Sequence, residues 1–224
     1  MHLKNSDFIT DVVIGMSDGL TVPFALAAGI SSAVATNDIV ITAGLAEIIA
    51  GSIAMGLGGF LAGKTELDHY QSELKREYNE VDNLPEMEKE EIREIFRDYG
   101  FSGSAQNLLV EELSKNRTKW VDFMMRFELG LDKPDPNRAA KSALTIGFSY
   151  VVGGIIPLMP YFFTSVPFEG LRISAVITLI CLFVFGYFKS KATGQPLFAG
   201  AVKVMMIGAL AASAAFLVAR FIGG

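Results

Sequence analysis

Three residues with metal-binding side chains interrupt stretches that hold almost nothing else polar. Asp18 sits in GMSDGLTVPFALAAG (15–29), and Glu47 and Met55 sit in GLAEIIAGSIAMGLGGF (44–60). Burying a carboxylate among apolar residues is costly, so an acid in such a place marks a functional candidate by default. Glu47, Gly51 and Met55 form an i, i+4, i+8 row on one helix face, and Gly51 leaves space between the two ligand-type side chains. A carboxylate with a thioether is a mixed hard and soft donor set. It suits Fe2+ or a similar transition ion better than Mg2+ or Ca2+, which prefer oxygen throughout. Each residue has a plainer reading: Asp18 can cap a break before Pro23, and Met55 can fill a packing gap. The case for chemistry rests on the three together.

The middle of the chain carries a second set. Glu73, Glu77 and Glu80 follow i, i+4, i+7 spacing, and Glu88, Glu91 and Glu94 follow i, i+3, i+6. Antiparallel packing of two such helices would merge the rows. Glu128 follows Met124 and Met125 at helical spacing and would add oxygen and sulfur donors. Any one of these pairs is also what a solvated helix face looks like. Glu66 and His69 have the ExxH spacing of di-iron carboxylate bundles, but those bundles need two such motifs and the only other histidine is His2. A membrane-anchored di-iron carboxylate oxidase is therefore the alternative reading, and a non-transporting metal sensor a third. No P-loop, GxGxxG, GxSxG or HExxH spacing is present, so hydrolysis, phosphoryl transfer and nucleotide binding have no motif to rest on.

The elements that must position these residues are helices in a membrane. The chain has 224 residues, 51% of them hydrophobic, too apolar for an ordinary soluble domain. The excess falls into five stretches, about 11–35, 39–63, 139–163, 170–188 and 196–222, each long enough to cross a hydrocarbon core of roughly 30 Å. Residues 65–138 hold 18 of the 24 acids and 11 of the 19 basic residues. They read as a separate acidic helical module, which suits cations and argues against nucleic acid. The expected organisation is 1–64 (spans 1 and 2), 65–138 (the inserted cytoplasmic helical metal-binding domain) and 139–224 (spans 3 to 5), an all-α polytopic membrane protein.

Helix 2 keeps helical composition without a break through Asn83. A further helix starts at Pro85 and stops at Gly100, one or two more follow, and DKPDPN (132–137) closes the module. Gly15 with Gly19, and Gly59 with Gly63, have the spacing that lets helices approach closely. IGMS (14–17) and IGFS (146–149), each followed by a proline, form a weak internal echo. If helix 1 starts near Asp11 and helix 2 returns near Lys64, Asp18 lies about 10 Å and Met55 about 14 Å from the same face, with Glu47 roughly 12 Å further across. The three would then form a ladder.

Lys4, Lys64, Arg138, Lys141, Lys189 and Lys191 mark one side, whereas the turns at 35–38 and 164–170 carry no basic residue. The positive-inside rule makes the N-terminus and the acidic module cytoplasmic and puts the C-terminus across the membrane, with Arg220 as a mild exception. The opening MHLKNSDFIT lacks the features of a secretory signal peptide. Cys181 is the only cysteine, which excludes an intrachain disulfide or a cysteine-based zinc site.

SDGLTVPFALAAG, GLAEIIAGSIAMGLGGFLAGK, YQSELKREYNEVDNLPEMEKEEIREIF and ALTIGFSYVVGGIIPLMPYFF, in this order, resemble the vacuolar iron transporters, most of all the plant members. The resemblance implies five membrane helices, a homodimer with the path between subunits, a cytoplasmic metal-binding domain between helices 2 and 3, and exchange of Fe2+ for protons at the vacuolar membrane. It implies a transporter and not an enzyme, with no prosthetic group and with membrane lipid, Fe2+ and protons as partners. It further implies Asp18, Glu47 and Met55 as the membrane metal and proton path, and Glu77, Glu80, Glu88, Glu91 and Glu128 as module ligands, with Met124 and Met125 close by. The donor types do not rank Fe2+ against Mn2+, Co2+ or Zn2+.

Overall fold

The computed structural model describes residues 3–223, with side chains from 7 to 222. All the regular structure among them is helical: α1 (Leu3–Ser31), α2 (Asn37–Asn83), α3 (Pro85–Asp98), α4 (Gly103–Ser114), α5 (Arg117–Phe127), α6 (Arg138–Leu158), a 3-10 turn (Met159–Phe162), α7 (Pro167–Ala192) and α8 (Leu197–Gly223). Five of these, α1, α2, α6, α7 and α8, are long and apolar enough to cross a membrane. The chain divides into two compact units, Met1–Leu61 with Ala139–Gly224, and Ala62–Arg138.

In the first unit α6 packs against both α1 and α2, and glycines set how closely. A Cβ on Gly19 of α1 would lie 2.9 Å from the Tyr150 Cα of α6, and one on Gly153 of α6 would lie 2.9 Å from the Leu20 nitrogen of α1. On the α2 side, Cβ atoms at Gly56 and Gly59 would meet the Ala143 carbonyl and the Ser142 hydroxyl at 2.9 Å. Backbones this near are reached only where side chains are absent. The echoed IGMS and IGFS segments meet at this seam, with Gly15 against Ile146 and Ser149. Ser142 donates to the buried Asp11 carboxylate of α1 (3.0 Å).

α1 starts at Leu3 and ends at Ser31, earlier at both ends than its apolar run of 11–35. At its end the bonding tightens to i→i−3, the Ser32 N–H donating to Gly29 (3.1 Å) and the Ala33 N–H to Ile30 (2.9 Å), while Ser31 Oγ donates to the Ala27 carbonyl (2.6 Å) and Ser32 Oγ to that of Gly29 (2.7 Å). Asn37 then ties the α1–α2 turn to the α6–α7 connection by donating to the carbonyls of Tyr161 (3.0 Å) and Thr164 (2.6 Å). α7 begins at Pro167 rather than near 170, because proline suits the first turn, where its missing N–H is not needed. Its Ser174 donates to the Pro157 carbonyl of α6 (2.7 Å). The outward residues of this unit are large and apolar, among them Ile49, Ile53, Phe148, Phe163 and Phe198. Such a surface belongs in hydrocarbon.

The second unit folds around Tyr70, Val81, Ile92, Val110, Trp120, Val121, Met124 and Met125. α2 enters it without a break, Pro85 opens α3, and Gly100 with φ +84° ends that helix's run. The segment 103–127 forms two helices because Asn116 caps α5, its side chain accepting from the Lys119 N–H (3.1 Å). Arg117 fixes the start of α5 to α2: its Nε donates to Asp82 (2.6 Å) and its guanidinium stands over the Tyr78 ring (4.4 Å).

Gly19→Ala should cost about 1–3 kcal/mol, because its methyl group meets the Tyr150 backbone, which cannot step aside as a flexible side chain can. Gly103→Ala, whose methyl group meets open space, should change stability by less than about 0.5 kcal/mol. Thermal loss of monodisperse protein in detergent measures both.

Candidate metal sites

In the first unit the site is built where α6 lies against α2. Tyr150, 2% exposed, crosses from α6 and covers Gly51: a Cβ there would sit 2.5 Å from the Tyr150 hydroxyl and 2.6 Å from Cζ. The hydroxyl donates to Oε1 of Glu47, one turn away on α2. The space over Gly51 is therefore filled by a tyrosine ring rather than left open between Glu47 and Met55. Glu47 Oε2 is buried and has no hydrogen-bond partner. One oxygen of the carboxylate is thus fixed in place and the other is free to take a proton or an ion.

Asp18 is half-buried on α1, beside the Gly19 that lies on the Tyr150 backbone, and its charge acts on the Tyr150 hydroxyl. The register carried across α6 sets Asp18 level with Gly51, midway between Glu47 and Met55. Met55 is half-buried two turns beyond Glu47 on the same helix. The apolar stretch of α2 is only 22% buried, against 44% for α1 and for α6, so the helix carrying two of the three residues has much of its surface uncovered. Tyr150 was missed in the sequence, where a tyrosine in SYVV reads as an ordinary core aromatic.

In the second unit, the C-terminal part of α2, α3 and the end of α5 bring Glu77, Glu88 and Glu128 together. Each offers a carboxylate oxygen within 4.8 Å of the others. Glu77 and Glu88 are 1% and 2% exposed, yet both oxygens of Glu77 and Oε2 of Glu88 accept no hydrogen bond. Arg76 lies 3.5 Å from Glu77 and is shared with Glu73 and Glu80. Three carboxylates cannot share so small a space fully charged without a counter-ion.

Burial, then the charges of Glu91, Glu77 and Glu128, push the Glu88 carboxyl up to about 8. Burial, then Glu77 and Glu91, push Glu128 up to about 7. Glu91 is raised by burial first and then by the charges of Glu80 and Glu94.

The outer members of the two rows leave the site. Glu73 lies 2.7 Å from Arg76, and Glu94 is exposed beside Arg97 (3.9 Å). Met124 and Met125, 0% and 1% exposed, belong to the hydrophobic core, and the Glu128 N–H donates to the Met124 carbonyl (3.0 Å). His69 is exposed and lies 3.9 Å from Glu73, apart from the triad, and His2 is outside the described residues.

The VIT family profile matches residues 9–220. The chain belongs to the VIT family. Among its relatives, it is 52% identical over 219 residues to the Oryza sativa subsp. japonica protein named vacuolar iron transporter 1, covering 98% of this chain and 87% of the relative. It is 50% identical over 221 residues to vacuolar iron transporter 1 of Arabidopsis thaliana, covering 99% and 88%. It is 40% identical over 224 residues to Protein CCC1 of Saccharomyces cerevisiae, covering 96% and 69%. In this VIT family chain both acid groups lie within the matched segment, and the plant relatives carry the names of transporters, not of enzymes.

The carboxyl shifts fix a pH dependence with a definite sign. In the folded protein Glu88 keeps its proton up to about 8, whereas in the unfolded chain it loses it near 4.5. Its contribution to stability is therefore full below 4.5 and is lost as pH rises to about 8. Trp120, the only tryptophan and 4% exposed in the core of this unit, reports its unfolding within the whole protein. Without divalent metal, its fluorescence melting temperature should fall between pH 5 and 8, and Glu88→Gln should flatten that fall while weakening metal binding.

Proposed function

We propose that this protein carries Fe2+ from the cytoplasm into the vacuole in exchange for protons, as a homodimer whose path lies between subunits. The observation that carries the reading is Glu47: a carboxylate inside an apolar helix, with one oxygen held by Tyr150 and the other buried and unpartnered. An acid at that depth has no structural debt to settle with a neighbouring cation, and ion and proton pathways are where such acids occur. The names of the plant relatives support iron as the cargo and the vacuole as the destination.

Metal and proton compete for the same oxygen, because a carboxylate must lose its proton to ligate a cation. Asp18, level with Gly51, and Met55, on the same α2 row as Glu47, would complete a short series of oxygen and sulfur donors suited to a borderline transition ion. A second copy of the chain would form the other wall against the half-buried row of Glu47 and Met55. The acidic unit, on the cytoplasmic side by the distribution of Lys and Arg, would gather metal on Glu77, Glu88 and Glu128, with Glu80 and Glu91 beside them. Its cluster holds no histidine among the described residues and His69 stands apart from it, so nothing in the site favours an oxidase.

In proteoliposomes with an acid interior, Asp18→Ala and Glu47→Ala should each abolish most Fe2+ uptake. Tyr150→Phe, which removes one hydrogen bond to a charged group, should slow it about tenfold while leaving metal binding by the acidic unit unchanged. Wild-type rates for both acid variants would refute the path. Uptake indifferent to the pH difference would refute proton exchange alone.

A further inference from the structure

The Lys and Arg side chains at the end of the first unit formed by residues 32–36 and 163–166 are Arg172, in the second turn of α7, and Arg220, in the last turn of α8. Neither takes part in the transport site. Both are exposed, and among the described residues neither is paired with a carboxylate. The Arg172 guanidinium instead lies over the Phe168 ring, 4.5 Å from its centroid, which holds it in place while leaving its edge donors free.

Arg172 stands at the wall of an open groove of about 500 Å3 between α1, α7 and α8. The rest of the wall is apolar except for Ser213, with Phe24, Leu171, Leu179 and Phe216 among its side chains. The small residues Ala175, Ala209 and Ala212 form its floor. α7 and α8 run antiparallel, with Gly186 against Ala201 and Gly208 against Leu182. This register sets Arg172 level with Phe216 and puts Arg220 one turn further toward the same end.

We propose that this groove is a binding site for an anionic phospholipid, its acyl chain along α1, α7 and α8 and its phosphate on Arg172, with Arg220 adding to the positive field. The groove is apolar along its length and Arg172 is its one charged lining residue, near the end where α7 begins and α8 finishes; Arg220 lies toward that end too, as do the acids Asp38 and Glu169 in the first turns of α2 and α7. A phospholipid has this same asymmetry. An extended polypeptide segment would bring backbone N–H and C=O groups that an apolar wall cannot satisfy, and a helix of a second copy is the occupant that the oligomeric size tests. The Arg172 guanidinium can donate to the phosphate oxygens of any phospholipid, and the preference for an anionic one comes from charge, since choline and ethanolamine bring a cation of their own to the same place. The site also accounts for two arginines on the side where the positive-inside rule has least use for them. The inference needs only that the five apolar helices lie in a bilayer, and stands apart from which ion is carried.

The test is native mass spectrometry of the full-length protein, stripped of lipid in detergent and offered phosphatidylserine and phosphatidylcholine with matched acyl chains. Wild type should retain phosphatidylserine in preference. Arg172→Gln should lower that retention about fivefold, the weight of one basic side chain at an anionic surface, and Arg172→Gln with Arg220→Gln should remove the preference. Ser213→Phe, which fills the groove from an exposed wall position, should release both lipids at unchanged oligomeric size. Equal retention of the two lipids by wild type and Arg172→Gln, or no retention by wild type, overturns the proposal. Dissociation of the oligomer by Ser213→Phe with lipid still bound also overturns it, and would assign the groove to a second copy of the chain.

Discussion

The Tyr150 hydroxyl reaches Glu47 only because Gly51 has no side chain, and much of the first unit exists to keep that approach open. A Cβ at position 51 would fall 2.5 Å from the hydroxyl. The ring gets there because α6 lies close to α2 over Gly56 and Gly59 and close to α1 over Gly15 and Gly19. Helices in lipid gain nothing from hydrophobic exclusion against one another, so such nearness must come from small residues and packing. The consequence is chemical. A carboxylate with one oxygen fixed by a hydroxyl and the other unpartnered has a defined orientation and a single vacant position, which a proton or a cation can fill but not both.

The second unit meets the opposite difficulty, with too many carboxylates rather than a solitary one. Glu77, Glu88 and Glu128 converge at the edge of a core that holds Ile92, Trp120, Val121, Met124 and Met125. That core supplies the apolar burial that offsets their mutual repulsion, and the bidentate Arg117 to Asp82 contact pins α5 so that Glu128 at its end arrives beside Glu88. Burying Glu77 and Glu88 without partners costs stability, and the Glu88 carboxyl responds by holding its proton to about 8, while the more exposed Glu128 beside it is raised to about 7. On the proposed reading, a cation would replace those protons and relieve the repulsion in one step.

The parts of this arrangement that depend on spacing along one helix were legible in the sequence, and the parts that depend on crossing geometry were not. Glu47, Gly51 and Met55 fall in a row whatever surrounds them. That Gly51 receives a ring from a residue about a hundred positions away could not be read from that row, and the gap looked like room for an ion. Likewise Glu73, Glu77 and Glu80 are equivalent by periodicity. Only the angle at which α3 returns past α2 turns Glu77 inward and leaves Glu73 to Arg76. The five apolar helices were evident from length and composition, whereas the tightened i→i−3 bonding at the end of α1 is something hydropathy does not weigh.

The two acid sites differ in how many protein oxygens they offer, and that difference orders them on the proposed reading. Three carboxylates within 4.8 Å can surround a divalent ion and compensate its charge completely. Such a place gathers ions at low concentration and releases them slowly. Glu47 offers one free oxygen, and Asp18 and Met55 belong to neighbouring positions rather than to the same cluster. An ion there is held by fewer and more separated donors, so it binds more weakly and has somewhere to move next. Conduction requires that weakness, since a site that matched the ion as well as the triad does would trap it in the membrane. The fold places the three-carboxylate cluster in the second unit and gives each of the helices α1 and α2 a single half-buried carboxylate within its apolar stretch.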